Sequence, residues 1–349
     1  MRAAVYHGKD QVKVEEVPVP DVGPGEVLVR VKACGVCQSD IKKIHYGLHE
    51  GPRIYGHETA GVVERTGAGV TKWKPGDRVV FHHHYPCMNC RYCRTENYSM
   101  CQVYKDVVST AGFVPSGGGF AELVKLPRHL ADHAVIAMPD SISFEEATFV
   151  EPLNCTLKAV RKARVQAGDF SWVIGAGPMG LLFVMALKAL GARPIVSDPL
   201  PERRERALKL GAAHALDPLA AGFAGELAEV SGGLGPDQAF LAVAQMKPLE
   251  QALRLVRKGG TVCVFSEFPE EQRLGVDPNL IYGREVDLIG SYSSSAAVQD
   301  LAAELVFSRR VPVRELISRT YPLTGLMDAI NEALHPTPAT CKLIVTPEG

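Results

Sequence analysis

A glycine pattern sets the strongest constraint on how this 349-residue chain can fold. Gly175, Gly177 and Gly180 form G-x-G-x-x-G between the apolar segments FSWVI and GLLFVMALKAL. The spacing alone is a weak signal, but between a strand and a helix it allows a tight turn, close approach of a pyrophosphate and close helix–strand packing. The pattern therefore predicts a dinucleotide site, with Pro178 and Met179 in the turn that opens the helix.

The segments that follow alternate between strand-like and helix-like patterns. RPIVSD precedes the helix-like PERRERALKLGA, where Gly211 is placed to end the helix. The strand-like pieces HAL, DQAFLAVA, TVCVFSE and VDLIGSY come later, with the helix-like PLEQALRLVRKGG among them. Short strands alternating with helices are typical of a doubly wound parallel sheet. We therefore predict an α/β fold for this region.

Asp198 ends the second of these strands and bears on the choice of cofactor. A carboxylate at this place accepts hydrogen bonds from the adenosine ribose and repels the 2′-phosphate of NADP, so NAD is the predicted cofactor. Arg203 and Arg204 would be able to bind that phosphate, but a solvated helix face explains the segment ERRER better. The alternative without any nucleotide is a glycine-rich turn in which Asp198 caps a helix.

Residues 1–150 have a different pattern of hydrophobic and turn-forming residues. Val-rich segments such as GEVLVRVKACGV and ETAGVVERTGAGV alternate and are separated by Gly and Pro, which predicts a compact antiparallel domain. The chain is also long for a single core, so two domains are expected.

Four of the nine cysteines lie in one short loop. Cys87, Cys90, Cys93 and Cys101 read C-x2-C-x2-C-x7-C, and four thiolates satisfy a tetrahedral zinc ion but leave no open position for chemistry. An odd cysteine count without an export signal fits a reducing cytoplasm better than disulfides. We interpret residues 87–101 as a structural zinc lobe, with four independent thiols as the alternative.

Composition argues against several classes of partner. A formal net charge of −1 and the lack of a basic patch disfavour nucleic acid. No apolar run approaches the roughly 20 residues of a membrane span, and the N-terminus lacks the apolar core of a signal peptide. We therefore expect a cytoplasmic protein whose partner is a small molecule, and neither nucleic acid nor a membrane.

A second candidate site lies in the first region. Cys37 stands in CGVCQSD, His57 and Glu58 are adjacent in YGHETAGVV, and Glu151 stands in FVEPLNC. Cys, His and Glu all bind zinc, and three protein ligands with one water leave the open position that catalysis requires. Each of these residues taken singly is more often structural than a metal ligand. The dinucleotide pattern downstream makes the interpretation of the group as a catalytic zinc site stronger.

With these motifs in family order, the chain resembles the zinc-dependent medium-chain dehydrogenases, which include alcohol, sorbitol and threonine dehydrogenases. The resemblance rests on GPGEVLVRV, CGVCQSD, GHETAGVV, KPGDRV, the four-cysteine loop and VIGAGPMG, and spans essentially the whole chain. It implies a GroES-like catalytic domain of residues 1–153 and 294–349, with a Rossmann NAD-binding domain of residues 154–293 inserted. It also implies a homodimer or homotetramer with two zinc ions per chain, one catalytic and one structural.

The resemblance assigns the catalytic zinc ligands by position. Cys37 and His57 match ligands of the family. The third place is open, because polyol and sugar members share the Glu-Pro-Leu that begins here at Glu151, and in them the Glu after the His also binds zinc. We therefore expect Glu58 and Glu151 to share this role.

The resemblance also implies a reaction, in which zinc lowers the pKa of an alcohol and a hydride passes to the nicotinamide. Ser39 matches the hydroxyl that begins the proton relay, and Asp40 resembles the acid that orients His57. Many relatives finish the relay with a histidine where this chain has Lys42. The exit of the proton through Lys42, His45 or water therefore stays open.

Substrate class rests on fewer residues. If the segment FHHHYP is a strand, His82 and His84 face one way and His83 the other, where it can contact a hydroxylated substrate. Together with the motif at Glu151, this favours a polyol, cyclitol or sugar, although GSYSSS lacks an arginine that sorbitol dehydrogenases carry nearby.

Other functions stay open. A simple secondary-alcohol or L-threonine dehydrogenase on the same scaffold is the alternative enzyme. A zinc- or nucleotide-binding protein without turnover is the non-enzymatic alternative. A related alkene or quinone reductase is disfavoured, because those relatives generally lack the ligands that Cys37 and His57 match.

Overall fold

The structure is a computed structural model and describes residues 1–113 and 117–347. The chain folds into two compact units, the first comprising Met1–Pro152 and Ser295–Gly349 and the second Leu153–Ser294. These limits lie one residue from the domain boundaries expected from the sequence. In the described part of the chain, every helix is too short or too polar to span a bilayer.

The first unit is built mainly from strands in the N-terminal part of the chain. These are β1 (Arg2–Gly8), β2 (Gln11–Glu16), β3 (Val27–Gly35), β4 (Arg53–Ile54), β5 (Glu58–Thr66), β6 (Arg78–His82), β7 (Leu123–Leu126) and β8 (Val135–Ala137). Short helices lie between and after them, namely α1 (Gln38–Tyr46), α2 (Arg91–Arg94), α3 (Arg128–His133) and α4 (Phe144–Ala147).

The second unit alternates strands and helices. After α5 (Val150–Lys162) the order is β9 (Phe170–Ile174), α6 (Pro178–Ala189), β10 (Arg193–Ser197), α7 (Pro201–Leu210), β11 (His214–Leu216), α8 (Phe223–Val230), β12 (Gln238–Leu241), α9 (Met246–Leu255), β13 (Thr261–Val264), α10 (Pro278–Tyr282) and β14 (Asp287–Gly290). The first unit then resumes with α11 (Gln299–Phe307), β15 (Ile317–Pro322), α12 (Leu326–Leu334) and β16 (Lys342–Thr346).

The sheet of the second unit has the strand order β11-β10-β9-β12-β13-β14, and its neighbouring strands run parallel. This is the order of a doubly wound dinucleotide-binding sheet, in which ligands bind at the carboxyl ends of the strands where the order reverses. The predicted parallel sheet is therefore confirmed. Its core packs around Trp172, Ile195 and Leu241, all of them buried.

The main sheet of the first unit has the order β15-β16-β3-β5-β6-β8, with β7 also paired to β3. Its neighbours are antiparallel except β15 and β16, which run parallel. The C-terminal strand β16 joins β3 by pairing Ile344 with Gly35 and Val345 with Cys34. Strand β16 therefore lies beside the strand that leads to Cys37.

Candidate catalytic centre, cysteine lobe and nucleotide turn

Cys37, His57 and Glu58 come together where β3 ends and β5 begins. Gly35 pairs with Glu58 across these two strands, so the residues that follow β3 and those that precede β5 meet at one end of the sheet. The donor atoms of Cys37, His57 and Glu58 lie within 4.8 Å of one another. Gly56 has a φ of +92°, which favours glycine, and a side chain there would collide with Cys34 Sγ. The sharp turn before His57 therefore requires this glycine.

Asp40 fixes the orientation of His57. Asp40 is buried on α1 and accepts a hydrogen bond from His57 Nδ1 at 3.1 Å, which leaves the other ring nitrogen for a ligand. Burial disfavours a charge on His57, but the charges of Asp40 and Cys37 outweigh it and raise the pKa of His57 well above its usual value. The pocket therefore favours a positive charge, and its thiolate, imidazole and carboxylate donors fit zinc.

Lys342, which the sequence did not single out, lies beside Glu58. Its ammonium group contacts Glu58 Oε2 and donates a hydrogen bond to Val36 O at 3.1 Å. Burial disfavours charge on Lys342, but the charges of Glu58 and Cys37 raise its pKa. Gly35 leaves room for this pair, since a Cβ there would overlap the Glu58 carboxylate. The sequence gives no sign of this contact, because a lysine before the apolar residues LIV is common at the start of a strand.

The other predicted members of the centre lie nearby with different contacts. Among the described residues, the close group of metal donors consists of Cys37, His57 and Glu58 and does not include Glu151. Glu151 is nevertheless buried, at 6% exposure, and its charge contributes to the raised pKa of Lys342. Ser39 Oγ donates to Cys37 Sγ at 3.4 Å. Lys42 is partly buried on α1. The zinc-binding role of Glu151 and the relay role of Lys42 stay predictions.

The sulfur atoms of Cys87, Cys90, Cys93 and Cys101 converge within 4.8 Å of one another. Cys93 lies on α2, and Cys90 is the residue that precedes this helix. The Sγ atoms of Cys90 and Cys93 are 3.5 Å apart, and those of Cys87 and Cys93 are 3.9 Å apart. These separations are close to the edge of roughly 3.8 Å expected for a tetrahedral zinc thiolate site.

Main-chain donors and burial act in opposite directions on the lobe thiols. Hydrogen bonds from the N–H groups of Gln102 and Cys93 lower the pKa of Cys90 to about 6. Burial raises the pKa of Cys93 to about 12. Sulfurs this close repel one another when ionised, so a cation between them is needed for all four to be thiolates. The set fits a structural zinc ion.

The three consecutive histidines do not follow the alternation expected of a strand. Strand β6 ends at His82, and the rings of His83 and His84 stack on each other with centroids 3.8 Å apart. The expectation that these two rings face opposite sides is therefore wrong, because alternation holds only while the backbone stays extended. The ring of His83 lies 4.8 Å from that of His57, centroid to centroid. His83 is therefore next to the candidate catalytic centre.

The glycine turn of the second unit has the geometry that a pyrophosphate requires. Gly175 has a φ of +96°, and a Cβ there would lie 2.5 Å from Val243 Cγ1. A Cβ on Gly180 would overlap the carbonyl oxygen of Gly175, whereas one on Gly177 would meet open space. Pro178 is the first residue of α6, whose N-terminus follows the turn. The arrangement leaves free main-chain N–H groups and space for an anion.

Asp198 connects this turn to the end of β10. It is 3% exposed, and its two carboxylate oxygens accept hydrogen bonds from Ala176 N at 2.8 Å and Leu200 N at 2.9 Å. Arg203 Nη1 lies 3.8 Å from the same carboxylate, and Arg204 Nη1 donates to the carbonyl oxygen of Asp198 at 2.8 Å. Arg204 thus has a structural role that the interpretation of ERRER as a solvated helix face did not predict. Binding of ribose by Asp198 stays a prediction.

Comparison with known proteins gives two family matches. The family described as "Alcohol dehydrogenase GroES-like domain" matches residues 23–140, and the family described as "Zinc-binding dehydrogenase" matches residues 178–308. The candidate metal ligands of the first unit and the cysteine lobe, apart from Glu151, lie inside the first match. Residues Pro178, Met179, Gly180 and Asp198 lie inside the second.

Individual relatives span nearly the whole chain. Sorbitol dehydrogenase from Bacillus subtilis (strain 168) is 31% identical over 353 residues, covering 99% of this chain and 97% of the relative. D-arabitol-phosphate dehydrogenase from Enterococcus avium is 30% identical over 334 residues, covering 94% and 92%. A solved structure of a protein described as a zinc-binding dehydrogenase, from Sinorhizobium meliloti 1021 and bound to NADP, is 28% identical with a TM-score of 0.88 and 99% coverage of both chains.

The sequence motifs, the two folds and these matches agree with one another. The GroES-like unit carries the thiolate, imidazole and carboxylate donors, and the parallel sheet carries the glycine turn. The chain belongs to the family of zinc-dependent medium-chain dehydrogenases, which includes the alcohol and sorbitol dehydrogenases.

Proposed function

We propose that the chain is a zinc-dependent polyol dehydrogenase that uses NAD and carries two zinc ions. The observation that carries this proposal is the group Cys37, His57 and Glu58, whose donor atoms lie within 4.8 Å of one another. Acidic groups predominate here, since Cys37, Glu58 and Asp40 surround this point and Lys342 is paired with Glu58. Such a group of donors suits a divalent cation.

Each residue of the centre has a defined task in the oxidation of an alcohol. Cys37, His57 and a glutamate would hold a zinc ion, which when bound would supply Lewis-acid activation of the hydroxyl, and bound NAD would supply the hydride acceptor. Ser39 Oγ, beside the Cys37 sulfur, would relay the hydroxyl proton by taking it up while giving up its own. The onward exit of the proton, through Lys42, His45 or water, stays open. Asp40 holds the His57 ring in one orientation and one tautomer.

The polyol class is supported by the polar surroundings of the centre and by the relatives. The imidazole of His83 lies beside His57 and offers a hydrogen-bonding group where a hydroxylated substrate would bind. The B. subtilis and E. avium relatives are named for a polyol and a polyol phosphate. An apolar alcohol would leave such a buried polar group unpaired.

A phosphorylated polyol is the second candidate substrate. Lys43 Nζ lies 5.6 Å from the centre of the Tyr55 ring, and His49 Nδ1 lies 3.1 Å from Tyr55 Oη. Partial burial and the charges of Arg53 and Lys43 lower the pKa of His49. Cationic groups therefore gather around Tyr55, two residues before His57, where they would attract an anionic substituent.

A substrate panel tests the proposal. NADH formation is followed with sorbitol, xylitol, myo-inositol, a pentitol phosphate, L-threonine and 2-butanol. Turnover of a polyol or its phosphate at a higher kcat/KM than 2-butanol is expected. A preference for 2-butanol or L-threonine would contradict the polyol assignment. A Lys43→Gln variant separates the two candidates, because it should raise KM only for the phosphorylated substrate.

Metal content and cofactor preference test the other parts. Two zinc ions per chain are expected, one for each group of donors. A single zinc ion per chain would contradict the assignment of Cys37, His57 and Glu58 as a catalytic zinc site. We expect a higher kcat/KM with NAD than with NADP, because the Asp198 carboxylate repels a 2′-phosphate. Equal or better efficiency with NADP would overturn the cofactor assignment without affecting the zinc centre.

A further inference from the structure

A continuous run of aromatic rings connects the two candidate metal centres within the first unit. From the catalytic side, the ring centroids of His57 and His83 are 4.8 Å apart, those of His83 and His84 are 3.8 Å apart, and those of His84 and Tyr104 are 3.8 Å apart. The His83–His84 pair is stacked with an interplanar angle of 29°, and the His84–Tyr104 pair is tilted by 32°. We name His83, His84 and Tyr104 the ring stack.

The ring stack is anchored in the cysteine lobe at one end. Tyr104 is 3% exposed and packs against Cys93 and Cys101 in a small buried cluster. Its main-chain N–H donates to the carbonyl oxygen of Cys101 at 3.1 Å. The position of the Tyr104 ring is therefore tied to the fold of the loop that carries the four cysteines.

Contacts between rings, rather than hydrogen bonds at Nδ1, orient the two histidines. The Nδ1 atoms of His83 and His84 are buried and have no hydrogen-bond partner within the described part of the protein. The backbone is held by pairing of His84 with Val108 and by a hydrogen bond from Ser109 N to His83 O at 2.9 Å. With the backbone fixed in this way, the ring of Tyr104 limits where the His84 imidazole can lie, and the His83 imidazole stacks on that of His84.

We propose that Tyr104 and His84 are positioning residues, which hold His83 against His57 and so make the catalytic centre depend on the cysteine lobe. The proposal rests on the assignment of His57 as a zinc ligand. A side chain that supports a metal ligand limits its orientations and so raises metal affinity. The same contact fixes the imidazole of His83 next to the substrate. The lobe thus acts on the reaction through three rings without touching the reacting atoms.

The test replaces the ring and keeps a buried apolar side chain. In the holoenzyme with Co(II) in place of zinc, we expect Tyr104→Leu to speed loss of the catalytic-site ion to a chelator about tenfold, the lower end of the effect of residues that support ligands. It should also shift the visible absorption of that ion. Tyr104→Phe retains the ring and should behave as the wild type in both measurements.

Tyr98→Leu is the matched control, since Tyr98 packs against the same cluster and is not a member of the ring stack. If Tyr104→Leu changes only the melting temperature, as Tyr98→Leu would, the positioning role is wrong. His84→Leu removes the middle ring of the same stack and should reproduce the faster loss of metal. An unchanged spectrum and off-rate in His84→Leu would overturn the proposal even if Tyr104→Leu does not fold.

Failure of the proposed function and failure of the ring-stack role give different experimental results. A wild-type protein that binds one ion and turns over no alcohol contradicts the proposed function. A wild-type enzyme with two ions and full activity, whose Tyr104→Leu and His84→Leu variants keep the normal off-rate and spectrum, contradicts only the role of the ring stack.

Discussion

Asp40 illustrates what a single buried side chain contributes to the candidate centre. One of its carboxylate oxygens accepts the hydrogen bond from His57, and the other, Oδ2, is buried without a hydrogen-bond partner among the described residues. Burial opposes ionisation of Asp40, but the charge and hydrogen bond of His57 keep its pKa below the usual value. A buried carboxylate oxygen without a hydrogen bond lowers the stability of the fold. The presence of Asp40 is therefore explained better by its hydrogen bond to His57 than by a contribution to folding stability.

We expect Asp40→Asn to weaken binding of the catalytic zinc by about 10- to 100-fold, since the amide holds the histidine less strongly. Competition with a chelator measures the effect. Asp10→Asn is the matched control, because Asp10 makes a similar 3.0 Å contact with His45 on the exposed surface. Equal zinc affinity of the two variants would contradict the role of Asp40.

Lys342 allows a test of charge balance. Lys342→Met leaves the Glu58 carboxylate buried without its cation, which typically costs about 3–5 kcal/mol. The zinc-free Lys342→Met protein should therefore have a clearly lower free energy of unfolding, whereas Lys342→Arg should retain most of the wild-type value. Denaturant unfolding after removal of metal measures the difference. Equal free energies of unfolding for Lys342→Met and the wild type would rule out the buried ion pair.

Among the elements, the short helix α4 is held by more than its own hydrogen bonds. Ser143 Oγ accepts a hydrogen bond from Glu146 N at 3.2 Å, and Glu146 Oε2 accepts one from Ser143 N at 3.1 Å. Arg309 Nε also donates to Glu146 Oε1 at 3.1 Å, which ties α4 to the residues that follow α11. This reciprocal cap lets a single turn of helix form where propensity would not suffice.

The same contacts predict a pH dependence. Burial opposes ionisation of Glu146, but the Arg309 and Ser143 donors hold its pKa below the usual value. Its contribution to stability is therefore present above the pKa of the unfolded chain, about 4.3, and is lost as the pH falls through the lower folded value. Glu146→Gln should lower Tm by a few degrees at pH 7.

Below about pH 4, the Tm difference between Glu146→Gln and the wild type should narrow. Glu145→Gln on the same turn serves as the control and should have little effect at either pH. A difference in Tm that is constant from pH 7 to pH 3.5 would show that the ionised carboxylate is not what stabilises α4.

Considered as a whole, the molecule has one unit made of a continuous segment and one made of two segments. The core of the first unit includes Leu343 and Val345 from β16 packed with Val29 and Val31 from β3. Residues 1–152 alone would leave this apolar surface uncovered, whereas residues 153–294 contain the whole parallel sheet.

We therefore expect a fragment of residues 153–294 to unfold cooperatively and residues 1–152 alone to aggregate or lack a cooperative transition. Thermal unfolding followed by circular dichroism measures this. A fusion of residues 1–152 to 295–349 through a short Gly/Ser linker is the positive control and should fold. A cooperative transition of residues 1–152 alone would contradict the dependence on the C-terminal strands.

The sequence predicted those parts of the fold and site that depend on contiguous segments. The parallel sheet followed from strand–helix alternation, and the glycine turn from three residues at fixed spacing. Lys342 was missed because only the tertiary pairing of β16 with β3 brings it to Glu58. The predicted orientation of His83 was wrong because β6 ends at His82, so the extended backbone that alternation requires stops before His83.

The position of Lys342 has a consequence for how the protein is made. During synthesis Cys37 and His57 leave the ribosome well before Lys342, the cation that balances Glu58. We expect the nascent chain to display its zinc-binding groups before the balancing charge of Lys342 exists, so that the centre matures only after position 342 has been translated. A premature stop codon just before position 342 would therefore encode every proposed zinc ligand and still give a damaged centre.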